Sequence, residues 1–233
     1  MDTYRKAGIV TGTLFLVADA AGFLSIIARP ILGAPDLLAR VAANEATVLS
    51  AALLVFVMAW ADAGIGIAMY PVLRRHNEGV ALGAAGFRIL DGAFHGIAAV
   101  LLLMLVTLGG MAAVAEPAAQ AQLSALGSLV LKGHALAGGV AGLLAWCVGA
   151  ALYYALFFRA RLVPRWLSLW GLAGIVPTLT AILLVLFRVL ESGSAVHTLL
   201  NLPLAAQEIV LAVWLMARGF DAATSRSPRE AAA

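Results

Sequence analysis

Charge is scarce in this chain. Only 12% of its 233 residues are Asp, Glu, Lys or Arg, and 63% are apolar. A soluble domain is about 25% charged and about 45–50% apolar. One water-soluble core cannot enclose such an excess, so the chain must meet lipid. Aromatic residues are also few, and Ala, Leu, Val and Gly dominate. That composition suits helices packed closely through small residues. The single cysteine, Cys147, lies in an apolar run. It excludes an internal disulfide and any Cys-rich metal site. Nucleophile and phosphate motifs are missing too: there is no GxSxG, no P-loop and no GxGxxG. The net charge of +3 does not point to nucleic acid, because the basic residues sit in short clusters at segment ends with no basic face.

What is present is a series of long apolar runs. A membrane span needs roughly 20 such residues to cross about 30 Å of hydrocarbon. Six stretches meet this standard: 8–28, 46–70, 80–109, 129–157, 166–188 and 199–218. Their length favours helices over a barrel, whose strands would alternate over about ten residues. The expected fold is therefore all-α, a polytopic bundle of six transmembrane helices. One domain covers residues 1–220, and a disordered cytoplasmic tail is expected over 221–233. The first run also resembles a signal peptide, with Arg5 and Lys6 ahead of it and Ala18-Asp19-Ala20 as a small-x-small site. It runs on unbroken to Ile27, which favours retention as a helix. The Ala-rich stretch 110–128 is expected to form an external loop or a surface-lying helix.

Basic residues set the orientation. With the N-terminus inside, cytoplasmic positions hold Arg5, Lys6, Arg74, Arg75, Arg159, Arg161, Arg165, Arg218, Arg226 and Arg229. The opposite side holds Arg29, Arg40 and Arg188. The expectation is a multi-pass protein of the plasma (inner) membrane with both termini cytoplasmic. Tyr70, Tyr153, Tyr154, Trp166 and Trp170 fall near the cytoplasmic boundary, where an aromatic belt would lie. The turns after Tyr70 and after Arg161 are each short, basic and proline-bearing, as cytoplasmic hairpins commonly are.

Ionisable residues inside spans are costly and mark function. At about 1.5 Å per residue from the cytoplasmic end, Asp62 and Arg88 lie roughly 12 Å deep, and Asp19, Asp91 and Glu208 roughly 15–16 Å. Arg88, Asp91 and His95 are spaced i, i+3, i+7 and share one helix face. Arg88 can pair with Asp91 along the helix or with Glu208 across the bundle. Four carboxylates here face one arginine and one histidine. Either one acid is protonated, or the layer meets a cation, a ligand or water. The polar-pocket candidates are Asp19, Asp62, Arg88, Asp91, His95 and Glu208. An outer set comprises His134, His197 and Asn201, with Lys132 snorkelling to the headgroups. His76 reads as a solvated loop residue. Asp91, His95, His134 and His197 would supply zinc ligands if their helices converged, but no HExxH spacing supports a site. No metal and no cofactor is expected. Gly138 and Gly142 form a GxxxG, a helix-contact signal.

Several short stretches resemble one known family. They are Arg5-Lys6, Ala43-Asn44-Glu45, Ala68-Met69-Tyr70-Pro71-Val72-Leu73-Arg74, Gly86-Phe87-Arg88, Arg161-Leu162-Val163-Pro164-Arg165-Trp166-Leu167-Ser168 with Trp170-Gly171, and Pro203-Leu204-Ala205-Ala206-Gln207-Glu208 with Trp214-Leu215. Their order and spacing over about residues 5–220 resemble the DUF4386 family of small bacterial membrane proteins. The family pattern often carries glutamate where Asp91 stands, and an aspartate-tryptophan pair where this chain reads Lys132-Gly133-His134. The resemblance implies a six-helix membrane protein and draws attention to Arg88 and Glu208. It implies no activity. Three functions fit the residues. A pocket would bind or transport a proton, ion or small amphiphilic ligand. An intramembrane enzyme would use carboxylates, with or without a His-bound metal, on a lipid or isoprenoid-like substrate. A structural or regulatory partner would use the polar groups for packing. The expected partners are the lipid bilayer, a small amphiphile and a second copy of the chain.

Overall fold

The computed structural model describes residues 3–221, and among these every regular element is helical. The tail expected over 221–233 lies outside the described residues apart from Asp221. The chain forms α1 (Thr3–Ser25), a 3-10 turn (Ile26–Ala28), α2 (Arg29–Leu32), α3 (Leu37–Ala43), α4 (Glu45–Leu73), α5 (Glu78–Ala113) and α6 (Pro117–Leu136). A π-helical turn (Ala137–Gly142) then leads into α7 (Leu143–Ala160), followed by α8 (Arg165–Leu186) and α9 (Ala195–Arg218). Six helical stretches are long and apolar enough to cross a membrane: 4–32, 45–73, 78–113, 117–160, 165–186 and 195–218. The protein is thus an all-α, multi-pass membrane protein.

Chain order becomes spatial order. α1 packs on α4, α4 on α5, α5 on α7, α7 on α8, α8 on α9, and α9 returns to α1. The six spans therefore close into a ring. Their outward faces carry large apolar side chains such as Trp60, 67% exposed, and Phe23, 75% exposed, as lipid-facing surfaces must. Small residues let the helices approach inside. At Gly92 in α5, a β-carbon would run into the carbonyl oxygen of Ala59 in α4. Gly92→Leu is expected to cost about 1–3 kcal/mol by overpacking this contact, read as a lower melting temperature in detergent.

Two apolar cores flank the middle of the ring. One gathers Phe15, Tyr153, Tyr154, Phe157 and Phe220 with Met69, Leu73 and Leu167. Tyr153 and Tyr154 are fully buried there, so they belong to this aromatic plug and not to a lipid-facing belt. The Tyr154 hydroxyl donates to Gln207 Oε1, and Gln207 Nε2 donates to Leu167 O at 3.1 Å, which ties α7, α8 and α9 together. Trp166 is exposed and keeps its expected place at the surface.

The second core shows what the apolar pattern missed. Leu38 and Val41 of α3 pack against Leu102 and Leu105 of α5 and Leu123 of α6. Within stretch 110–128, residues 110–113 end α5, 114–116 form a short turn, and the chain is helical again from Pro117. That second part does not lie apart but runs into the fourth span as one 44-residue rod. Pro at the first helical position and the alanines after it favour this. At about 1.5 Å per residue that rod reaches roughly 66 Å, and α5 roughly 54 Å, both beyond a hydrocarbon core of about 30 Å. Their ends and α3 build a small lobe. His76, in the turn between α4 and α5, is half-buried rather than fully solvated. Burial, aided by the charge of Arg75, holds its imidazole below the usual histidine range.

Candidate functional site

Between the two cores lies a cavity of about 240 Å³. All six spans contribute to its wall: Ala18, Asp19 and Gly22 from α1, Met58 and Asp62 from α4, Asp91 and His95 from α5, Leu143 and Trp146 from α7, Thr178 from α8, and Asn201, Leu204, Ala205 and Glu208 from α9. Every acid of the expected polar layer faces this one space.

Arg88 organises one side of it. Its side chain is 1% exposed. Nη2 donates to Asp62 Oδ1 at 2.6 Å, and Nη1 donates to Asp91 Oδ2 at 3.1 Å. The pairing along α5 follows from the i, i+3 spacing. The pairing across helices goes to Asp62 of α4, whereas the sequence suggested Glu208. Gly66 makes room for it: a β-carbon there would lie 3.0 Å from Arg88 Cβ, closer than side chains normally pack. Phe15 closes the space below, with the guanidinium carbon 5.8 Å from its ring centroid. The planar fork thus bridges two carboxylates, which a lysine ammonium could not do with the same geometry.

His95 completes this side. Its Nδ1 lies 3.0 Å from Asp91 Oδ1, 3.2 Å from the Asp91 carbonyl oxygen and 3.8 Å from Asp62 Oδ2. These neighbours are acceptors, so Nδ1 carries a proton. The ring rests in the notch of the π-helical turn. Hypothetical β-carbons at Gly138 and Gly142 would come within 3.4 and 3.2 Å of the imidazole. The GxxxG therefore seats a histidine. Single π turns inside helices occur frequently at functional sites.

Asp19 and Glu208 lie apart from the arginine. A buried oxygen of each, Asp19 Oδ2 and Glu208 Oε1, has no hydrogen-bond partner. Thr178 Oγ1 is in the same condition, and that residue is only 2% exposed. Sequence reasoning passed over Thr178, because a lone threonine in an apolar span carries no pattern. Counting formal charge, four carboxylates face one permanent cation.

The outer set divides. Asn201 belongs to the main cavity, with its amide donating to the His197 carbonyl oxygen at 2.7 Å. His134 places Nδ1 2.9 Å from Ala98 O and lines a neighbouring cavity of about 400 Å³ with Arg29 and Ser192. That cavity shares Met58, His95 and Leu143 with the central one, so the two are adjacent at His95. His197 lines neither; its backbone N–H donates to Ser194 Oγ, the N-cap of α9. Lys132 is exposed.

Asp62, Asp91 and His95 offer three potential metal-ligand atoms within 4.8 Å of one another. A divalent ion there would have to share both carboxylates with Arg88. The trio is better suited to the hydrogen bonds it makes. His134 and His197 are not part of it.

No curated protein and no solved structure matches the chain. A family model does, over residues 10–219, and its description is a domain of unknown function. With nearly the whole chain matched, and with the six apolar spans that the resemblance implied, the protein belongs to the DUF4386 family.

Proposed function

We propose that this protein is a membrane-embedded binding or transport protein, and that its central cavity takes a cationic ligand. One observation carries the reading: four carboxylates from four helices face one cavity, while Arg88 is spent on two of them. Buried charges are tolerated when paired, and an unpaired acid at this depth takes up either a proton or a counter-charge, which a cationic ligand would supply. A packing network would satisfy its members, yet Asp19 Oδ2 and Glu208 Oε1 are left without donors. Calorimetric titration of the detergent-purified protein with butylammonium chloride tests the reading. Saturable binding is expected in the native chain. Each acid lost should weaken it by about 1.5–3 kcal/mol, the worth of a hydrogen bond to a charged group. No heat with butylammonium, and none with magnesium, would sink the reading.

A second reading, an intramembrane hydrolase, draws on the Asp62–Asp91–His95 trio. Elemental mass spectrometry separates the two. About one zinc or iron per chain, lost in His95→Ala, would move the case to a metalloenzyme.

Both termini on the cytoplasmic side of the plasma (inner) membrane is part of the proposal. Residues near the two chain ends meet the basic hairpins at one end of the ring, which supports it. Arg5 donates to Ala217 O, Arg75 lies over the Tyr4 ring, and Asp221 N donates to Leu162 O. A fluorescent protein fused after Ala233 is expected to fold and fluoresce inside the cell, and alkaline phosphatase fused there to be inactive. The reverse pattern would invert the topology.

A further inference from the structure

We infer that the ligand is a primary alkylammonium amphiphile, whose head lies among the cavity acids and whose chain leaves the ring sideways between α1 and α9. This rests on the binding reading above and adds the ligand class and its route.

The two helices pack closely near the start of α1. At Gly8 and Gly12 of α1, a β-carbon would strike backbone atoms of Gly219 and Ala212. At Gly22 it would meet only Met58 of α4, with no atom of α9 within 4 Å. Farther along α1 lies an apolar groove of about 490 Å³, walled by Leu16, Ala20, Phe23 and Ile26 on one side and by Ala205 and Ile209 of α9 on the other. Groove and cavity share Asp19, Gly22 and Ala205, so they are adjacent at the acid. Phe23 and Ile26 are strongly exposed on the lipid-facing side. A metal ion or a small polyamine has no use for such an exit, whereas a hydrocarbon chain does.

Charge and donor count select the head. Four acids against one guanidinium favour a cation. On the cavity wall Asp19 Oδ2, Asp91 Oδ1, Glu208 Oε1 and Thr178 Oγ1 are buried without a hydrogen-bond partner, and of these Asp91 Oδ1 has His95 Nδ1 beside it at 3.0 Å. Thr180 of the same helix donates to the carbonyl oxygen of Val176, whereas Thr178 shares its unpartnered state with the buried hydroxyls of Thr11 and Ser168 but, unlike them, lines the cavity. A primary ammonium brings three N–H donors for Asp19 Oδ2, Glu208 Oε1 and Thr178 Oγ1, the three wall oxygens that have no such neighbour, and a quaternary one brings none.

The test uses the full chain in maltoside detergent and a dodecylammonium probe with a photoreactive diazirine in its chain. Label is expected on the peptides holding Leu16–Ile26 and Ala205–Ile209. It should fall to the level of the exposed α4 surface in the Asp19→Asn, Glu208→Gln double variant, which reports partition into the micelle alone. Unlabelled dodecylammonium should compete, and dodecyltrimethylammonium should not. Ala20→Phe, which fills the groove outside the cavity, should remove the labelling and leave butylammonium binding within about twofold. Label spread evenly over the lipid-facing helices, with butylammonium still binding, would overturn the side exit and leave the binding reading standing. Equal competition by the quaternary amine would overturn the choice of head. Binding of neither amine would overturn both readings.

Discussion

Arg88→Ala is expected to cost about 3–5 kcal/mol, enough to strip most folded protein from a detergent extract. The replacement takes the guanidinium donors from Asp62 and Asp91, both buried, and leaves them only His95 Nδ1 nearby. It also leaves four carboxylates around one cavity with no permanent cation. The size follows from the general rule that removing one member of a buried ion pair strands the other. Arg88→Lys should recover only part of the loss, since a point charge cannot span both acids. Adding Asp62→Asn and Asp91→Asn to Arg88→Ala should recover more, because the stranded charges go with the arginine. Size-exclusion profiles and melting curves of the three variants report this order. An unchanged melting temperature in Arg88→Ala would mean that the ion pairs do not join α4 to α5.

Asp19 and Glu208 predict the opposite sign. Neither shares in the ion pairs of Arg88, and each keeps a buried oxygen without a donor. When ionised, they repel each other and the charges of Asp62 and Asp91. Asn and Gln keep the shape and remove the charge. The double variant Asp19→Asn, Glu208→Gln is therefore expected to melt above the native protein in the absence of any ligand. Binding sites commonly hold such stability in reserve. In the same variant, cation binding should be lost, at about 1.5–3 kcal/mol per acid and hence more than about tenfold in Kd for each. A structural role for the two acids predicts a drop in both properties.

The sequence carried much of this layout for specific reasons. Six apolar runs are unambiguous when charge is so sparse, and their order around the ring follows from short turns such as 74–77 and 161–164. Arg88, Asp91 and His95 lie on one face of a single helix, so their meeting needs only the helical repeat. Asp62 as the cross-helix partner was not legible. Which of two acids an arginine reaches depends on the relative rotation of helices, and here Gly66 decides it by letting α4 approach Arg88. Asn201 was assigned to an outer layer because the sixth span was counted from 199. The helix begins at Ala195 behind the Ser194 cap, and Asn201 lies along the cavity. Tyr153 and Tyr154 have the composition of a membrane-interface belt, but their face of α7 turns inward against Phe15 and Phe157. α3 escaped notice because seven residues make no transmembrane signal and its burial depends on the far ends of α5 and α6. Thr178 is uncharged, and only the closed ring shows that its hydroxyl meets a shared space.

Melting curves of the native protein and the Asp19→Asn, Glu208→Gln variant, each with and without butylammonium, test the central claim most directly. A cation site predicts that the native protein melts lower alone and rises with the amine, while the variant melts higher and does not respond. If the variant melts below the native protein and neither responds to the amine, the acids are packing elements and the cavity is not a cation site.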